Sequence, residues 1–167
     1  MQPNFPIIAA AALLPIVLGF VWYNTHVFGK AWMAASGVTE ETIKNSNMFI
    51  ILGLTYVFSF FLAMGVNFMV VHQFHLYSMV MNDPGFGDPN SPVQSMLKDI
   101  MSKYGNEFRS FKHGAFHGFL GGLQFALPII GINALFERRG VKYIAIHTGY
   151  WLLTLILMGA IISHFRA

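Results

Sequence analysis

The sequence contains no cysteine. This absence excludes disulfides, thiolate metal sites and cysteine nucleophiles together. Among the remaining residue types, the seven histidines are the strong ligands for a soft or borderline metal ion, with the ten methionines as weaker ones. A zinc, copper, iron or haem site in this chain would therefore have to rely on histidine.

Charged residues are also scarce. They make up 10% of the 167 residues, whereas 55% are hydrophobic, and the mean hydropathy is +0.56. Soluble domains carry roughly a quarter charged residues, so this composition indicates a multi-pass protein surrounded by a lipid bilayer. The net charge of +3 is modest. Its basic residues lie at the ends of apolar runs rather than along one stripe, which predicts no nucleic-acid partner.

Four long apolar runs predict an all-α membrane protein that forms a single integral membrane domain over residues 1–167. A spanning helix needs about 20 apolar residues. The runs lie at about 5–27, 48–75, 111–137 and 143–164. Spans joined by short connections alternate in direction, so we expect an antiparallel four-helix transmembrane bundle with both termini on one side. Pro15 lies inside the first run and predicts a kink.

No Asp, Glu, Lys or Arg lies inside these runs away from their ends. Proton pumps and ion-coupled carriers usually place such groups within the membrane. The sequence therefore argues against both classes, and it contains no complete catalytic motif.

Two shorter segments predict amphipathic helices at the membrane interface. One covers about 28–36 and is stopped by Gly37. The other covers about 92–104, where apolar residues recur at offsets of three and four, with Ser91 as the N-cap and Pro92 in the first turn. Both are too short to span, so we expect them to lie in the interface plane.

Five of the seven histidines are predicted to meet at one membrane face. His72 and His75 end the second run, His113 and His117 begin the third, and His164 ends the fourth. Spacings of three and four put each pair on one face of its helix. Such pairs can hold zinc, copper, iron or haem, so the first four histidines are the candidate metal ligands. Alternatively, histidine simply marks where spans meet water, or forms a pH-responsive or ligand-contacting patch.

Gly114, Gly118 and Gly122 recur every four residues in the third run. A stripe of small residues lets another backbone approach closely. We expect this stripe to serve packing within the bundle, with self-association of two chains as the alternative.

Ser59, Gln124 and Thr154 lie at similar depths in three different runs. Polar side chains at one depth can bond to one another across helices. They predict a buried polar cluster that locks the bundle, or alternatively a pocket for a substrate or a lipid headgroup.

His147 falls within the fourth run, closer to the opposite membrane face. An ionisable group at such a depth needs a partner. We expect structural pairing with Asn133 or Glu137, and a functional role is the alternative.

Six short segments, distributed over both halves of the chain, carry a family resemblance. They are Gly19–Tyr23, Phe28–Trp32, Gly37–Glu41, Asn133–Arg139, Gly149–Trp151 and Leu157–Ile161. Through them the chain resembles a bacterial family of small four-span membrane proteins, catalogued as domain of unknown function 1761. The resemblance implies four helices in the cytoplasmic membrane and assigns no reaction, ligand or catalytic residue. The segment 79–107 is longer than the family pattern implies.

The leading functional hypothesis is a non-enzymatic membrane protein that acts by assembly, as a homo-oligomer or an accessory subunit of a membrane complex. A histidine-ligated metal or haem protein with a redox role is the alternative, and a small-molecule or lipid carrier using the level of Gln124 is the second alternative. We expect a bacterial cytoplasmic (inner) membrane location. The compact basic cluster at 138–142 is expected inside, which puts both termini and residues 79–110 on the outer face.

Overall fold

The computed structural model describes residues 2–165, and within that range every regular element is helical. Four helical stretches are long and apolar enough to cross a membrane. They are Phe5–Trp22, Met48–Val70, Phe111–Phe136 and Val141–His164, named here the first to fourth spans. The predicted all-α bundle of a multi-pass membrane protein is therefore confirmed.

The first span consists of two helices, α1 (Phe5–Ala11) and α2 (Leu14–Trp22). They are separated just before Pro15, whose ring and missing N–H interrupt a regular helix. The Tyr150 hydroxyl of the fourth span donates to the Pro15 carbonyl oxygen at 2.6 Å. The interrupted span is thus tied to its neighbour by a hydrogen bond.

The connection to the second span contains two short helices, α3 (Gly29–Ser36) and α4 (Glu40–Lys44). Gly37 ends α3 in a left-handed conformation with φ 74°, which glycine adopts without steric cost. The Thr39 hydroxyl caps α4 by accepting the N–H of Thr42. The segment at 28–36 therefore forms a short helix outside the spans.

The second span, α5, covers Met48–Val70 and stops earlier than the run to residue 75 predicts. Its last residue is followed by Val71 at φ −106° and ψ 88°, outside the helical region. A separate helix, α6 (Gln73–Val80), then begins. The Gln73 amide donates to the carbonyl oxygens of Tyr104 and Glu107. These bonds hold the start of α6 against the following segment, and α6 is therefore a separate helix rather than a continuation of α5.

That following segment is the amphipathic helix α7 (Pro92–Tyr104). The Ser91 hydroxyl caps it by accepting the N–H of Gln94 at 3.2 Å, and Pro92 occupies the first turn, where a missing N–H costs nothing. Val93 and Leu97 are its buried residues. The helix therefore shows the one-sided burial that its sequence pattern predicts.

The third span contains α8 (Phe111–Gly121), a π-helical segment (Gly122–Ala126) and α9 (Leu127–Phe136). Pro128, the second residue of α9, cannot donate a backbone hydrogen bond, and this favours a widened turn in the segment before it. The fourth span, α10 (Val141–His164), is one continuous helix. It has the largest set of buried residues and lies at the centre of the bundle.

Large apolar side chains cover the outside of the spans. Phe49 is 91% exposed, Phe61 69% and Phe125 61%. Exposed aromatic surface of this extent is unusual in a soluble protein but is the expected surface towards lipid tails. The outer faces of the helices therefore contact the lipid bilayer.

Candidate metal site

Three histidines converge at one membrane face, where the second span ends and the third begins. The Nε2 atoms of His72 and His113 are 2.8 Å apart. One ring nitrogen each from His72, His113 and His117 lies within 4.8 Å of the others. We call these three residues the histidine cluster. It is partly exposed, so an ion can reach it.

Local structure explains why these rings meet. His72 lies in the break between α5 and α6, so the direction of its side chain is not set by a continuation of α5. His113 and His117 lie one turn apart on α8, with ring centroids 4.5 Å apart. The Ser110 hydroxyl fixes the start of α8 by accepting the N–H of His113 at 3.2 Å.

The loop before α8 is attached to the end of the fourth span. Arg109 Nε donates to the Ser163 carbonyl oxygen at 2.8 Å, and the Ser163 hydroxyl donates to the Phe108 carbonyl oxygen at 3.2 Å. Ser163 is fully buried. These two bonds position the beginning of α8, and therefore His113, relative to the bundle.

Phe108 is a member of the site that sequence reasoning missed. Its φ of 61° lies in the left-handed region, which costs a bulky side chain roughly 1 kcal/mol or more. Its ring centroid lies 5.0 Å from that of His113 and 6.1 Å from that of His72. No motif marks such a residue, because its position follows from the anchored loop.

The electrostatics of His72 and His113 favour neutral imidazoles. Burial lowers the pKa of His72 below its usual range, and the neighbouring His117 and His75 lower it further. Neutral imidazole is the form that binds a metal. Nitrogens bound to one tetrahedral zinc at about 2.0–2.1 Å lie about 3.3 Å apart. This separation falls between the 2.8 Å from His72 Nε2 to His113 Nε2 and the 4.8 Å within which the three ring nitrogens lie.

Two of the histidines predicted at this face remain outside the cluster. His75 is exposed, and its ring centroid is 6.3 Å from that of His72. His75 lies in the first turn of α6, where its N–H donates to the carbonyl oxygen of the N-cap His72, but its ring does not join the three converging ring nitrogens. His164 instead stacks on Phe111 with centroids 3.9 Å apart.

A groove of about 290 Å³ opens beside His72, between α6 and α7. Its lining is mainly apolar and includes Met101 and Tyr104, with Glu107 at the same groove. Glu107 is the one carboxylate among the described residues that line this groove. The amphipathic helix α7 therefore borders the site.

The glycine stripe of the third span faces the fourth span of the same chain. A methyl group on Gly114 would collide with the carbonyl oxygen of Gly159, and one on Gly118 with that of Leu155. On Gly122 it would lie 2.6 Å from a methyl carbon of Leu152. The three glycines therefore permit backbone contact between the third and fourth spans.

The predicted polar cluster is corrected at one position. Ser59 and Thr154 are buried, but Gln124 is exposed on the surface of the third span. Gly122 and Ala126, four residues apart, both face the bundle within the π-helical segment. Gln124 lies midway between them and therefore points outward. Thr154 bonds within its own helix, donating to the Tyr150 carbonyl oxygen at 2.8 Å.

His147 is paired, but not with Asn133 or Glu137 as predicted. Its Nδ1 lies 3.0 Å from the Tyr23 hydroxyl, and the Tyr143 ring is 4.2 Å away. Burial, with Tyr150 and Tyr143 nearby, raises the pKa of Tyr23, so its hydroxyl stays protonated in this contact. We call Tyr23, Tyr143, His147 and Tyr150 the aromatic cluster.

Comparison with known proteins gives a family and no functional assignment. None of the curated proteins and none of the solved structures matches the chain. The family model described as "protein of unknown function (DUF1761)" matches residues 7–163. That range includes all four spans apart from their outermost residues, together with the histidine cluster. The resemblance noted in the sequence is confirmed, and the chain belongs to this family.

Proposed function

We propose that this multi-pass membrane protein binds one divalent transition-metal ion through His72, His113 and His117. The observation that supports the proposal is the convergence of three ring nitrogens, from the break after the second span and from the start of the third, within 4.8 Å. Three protein ligands leave a coordination position open for water or a substrate. Zinc and copper fit best, since imidazole suits both and both rank high in the affinity order of divalent ions.

The same geometry favours a single ion over haem. A haem held between two histidines needs an imidazole on each side of the ring plane. His72 and His113 are in direct contact at 2.8 Å, which leaves no room for a macrocycle between them. A redox role would therefore depend on bound copper or iron, because zinc has no redox chemistry of its own.

The test is metal binding by the protein purified in mild detergent and freed of metal. Calorimetric titration with Zn²⁺ and with Cu²⁺ should show one site per chain. The His113→Ala variant should lose at least about a hundredfold in affinity, since even outer-shell partners are worth 10–100-fold. His75→Ala is the matched control and should bind like the wild type. Absence of a stoichiometric site, or equal losses in both variants, would overturn the proposal.

Assembly as a homo-oligomer or an accessory subunit stays a prediction without a specific surface. The glycine stripe that motivated it packs against Gly159 and Leu155 of the same chain, so an assembly would have to use another face. Carriage of a lipid or small molecule at the level of Gln124 has lost its support, because that side chain points outward. A bacterial cytoplasmic membrane with the histidine cluster on the outer face remains the expected setting.

A further inference from the structure

A cavity of about 320 Å³ lies among the start of the first span, the ends of the second and fourth spans and the loop before the third. None of its described lining residues is a histidine, so it is separate from the histidine cluster. Four of them carry an amide side chain, and we call the cavity the amide pocket. These four are Gln2, Asn4, Asn67 and Asn106.

Asn67 is the informative residue of the pocket. Asn67 is only 3% exposed, and its Nδ2 has no hydrogen-bond partner among residues 2–165. A buried N–H group without a partner is expensive, and native proteins rarely leave one so. Because Asn67 lines the cavity, an acceptor atom of a ligand inside the cavity would supply the missing hydrogen-bond partner of this Nδ2.

The other walls fit a ligand that is polar at one end. The Arg109 guanidinium lines the pocket, held there by donating to the carbonyl oxygens of Ser163 and Phe165. No Asp or Glu is among the described lining residues, whereas Ile8, Phe74 and Ile162 supply apolar surface. Amide and guanidinium donors match phosphate oxygens, and the apolar residues match the adjoining hydrocarbon.

We propose that the amide pocket binds a phosphate group, carried by the headgroup of an anionic phospholipid or by a soluble phosphate ester. The Asn67 amide donates from near the C-terminal end of the second span, and Arg109 supplies the positive charge. This proposal does not depend on metal binding. Its test therefore also includes the His113→Ala variant, which should keep the phosphate response even if it loses a metal.

The experiment measures thermal unfolding of the full chain in a mild detergent. Three additions are compared: phosphatidylglycerol, phosphatidylcholine and inorganic phosphate. A specific ligand at saturating concentration should raise the Tm by about 5 °C. The Asn67→Leu variant, which keeps the side-chain shape without the donor, should lose this rise. Gln124→Leu is the matched control, because it removes an amide from a span outside the pocket, and it should keep the rise.

Each outcome supports or overturns the proposal that the amide pocket binds a phosphate group. A rise with phosphatidylglycerol alone supports a lipid headgroup, and an equal rise with inorganic phosphate supports a soluble ester. No rise, or one that Asn67→Leu retains, overturns the proposal and indicates a water-filled cavity. Because removing an unpartnered amide can itself change stability, only the ligand-dependent shift is compared. If Asn67→Leu does not fold, native mass spectrometry of the wild type decides: absence of a retained phospholipid or phosphate overturns the proposal.

Discussion

The histidine cluster and the aromatic cluster contain the same kind of residue in opposite situations. In the first, the Nε2 atoms of His72 and His113 are 2.8 Å apart, and a ring nitrogen of His117 lies within 4.8 Å of a ring nitrogen of each. In the second, His147 lies among tyrosine rings and its Nδ1 contacts the Tyr23 hydroxyl at 3.0 Å. The Tyr23 hydroxyl contacts Nδ1 of His147, whereas the ring nitrogens of the histidine cluster adjoin one another, as the proposed metal site requires.

The two clusters also depend on different helix contacts. The histidine cluster needs α8 to sit correctly on α10, through the glycine stripe and the anchored loop. The aromatic cluster joins the first span to the fourth, where Trp22 also donates to the Ile146 carbonyl oxygen at 3.1 Å. A change at one contact should therefore disturb one cluster and spare the other.

The largest effect is expected for Gly118→Leu. Its side chain would have to displace the backbone of Leu155, which should cost about 3 kcal/mol of unfolding free energy, at the upper end of overpacking effects. Metal affinity should fall with it, since α8 carries His113 and His117. Denaturant or thermal unfolding in detergent and metal titration measure the two effects.

The matched control for that change is Gly131→Leu in the same span. No described atom lies within 4 Å of a methyl group placed there, and leucine favours a helix more than glycine does. Stability and metal affinity should therefore stay at or above the wild-type level. Equal damage from both variants would refute the assignment of the stripe to contact between the third and fourth spans.

The second effect concerns pH. The pKa of His72 lies below 6.5, lowered by burial and by its histidine neighbours, so this ring stays neutral in the fold at pH values where it is protonated in the unfolded chain. Acidification through this lower pKa protonates the ring and costs about tenfold in metal affinity per pH unit for each ligand protonated.

Affinity should therefore be constant above pH 6.5 with respect to His72 and decline below it. Titrations of Zn²⁺ between pH 5 and 8 would show this profile. A decline that begins well above pH 7 would contradict a site made from these neutral imidazoles.

The smallest effect is expected for Tyr23→Phe. This change removes the hydroxyl that contacts His147 Nδ1 and should lower the unfolding free energy by about 1 kcal/mol. Metal affinity should not change, because Tyr23 touches no member of the histidine cluster. A simultaneous loss of metal binding would show that the two clusters are coupled.

The histidine pairs illustrate how far the sequence leads. His113 and His117 were placed on one helix face by their spacing, and their ring centroids are 4.5 Å apart. His72 and His75 also share a turn at the start of α6, but their ring centroids are 6.3 Å apart and only His72 faces the third span. Spacing therefore gives the local relation of two residues, whereas the position of α6 depends on hydrogen bonds from Gln73 to residues about thirty positions away.

Gln124 shows the same limit inside a span. Its depth was predictable, but its direction depends on the π-helical segment Gly122–Ala126. No sequence pattern marked the roles of Phe108 and Asn67, since one is defined by a left-handed backbone and the other by a cavity between elements distant in sequence.

The sequence by itself determined the four spans, the short helices outside them and the end of the bundle at which histidines accumulate. These are consequences of hydrophobicity and helical period, which are local properties of the chain. Only the tertiary structure decided that three histidines converge, that His147 binds Tyr23 and that the glycines contact the fourth span. The reason is that helix rotation and separation are set by packing between distant segments, and no local pattern records them.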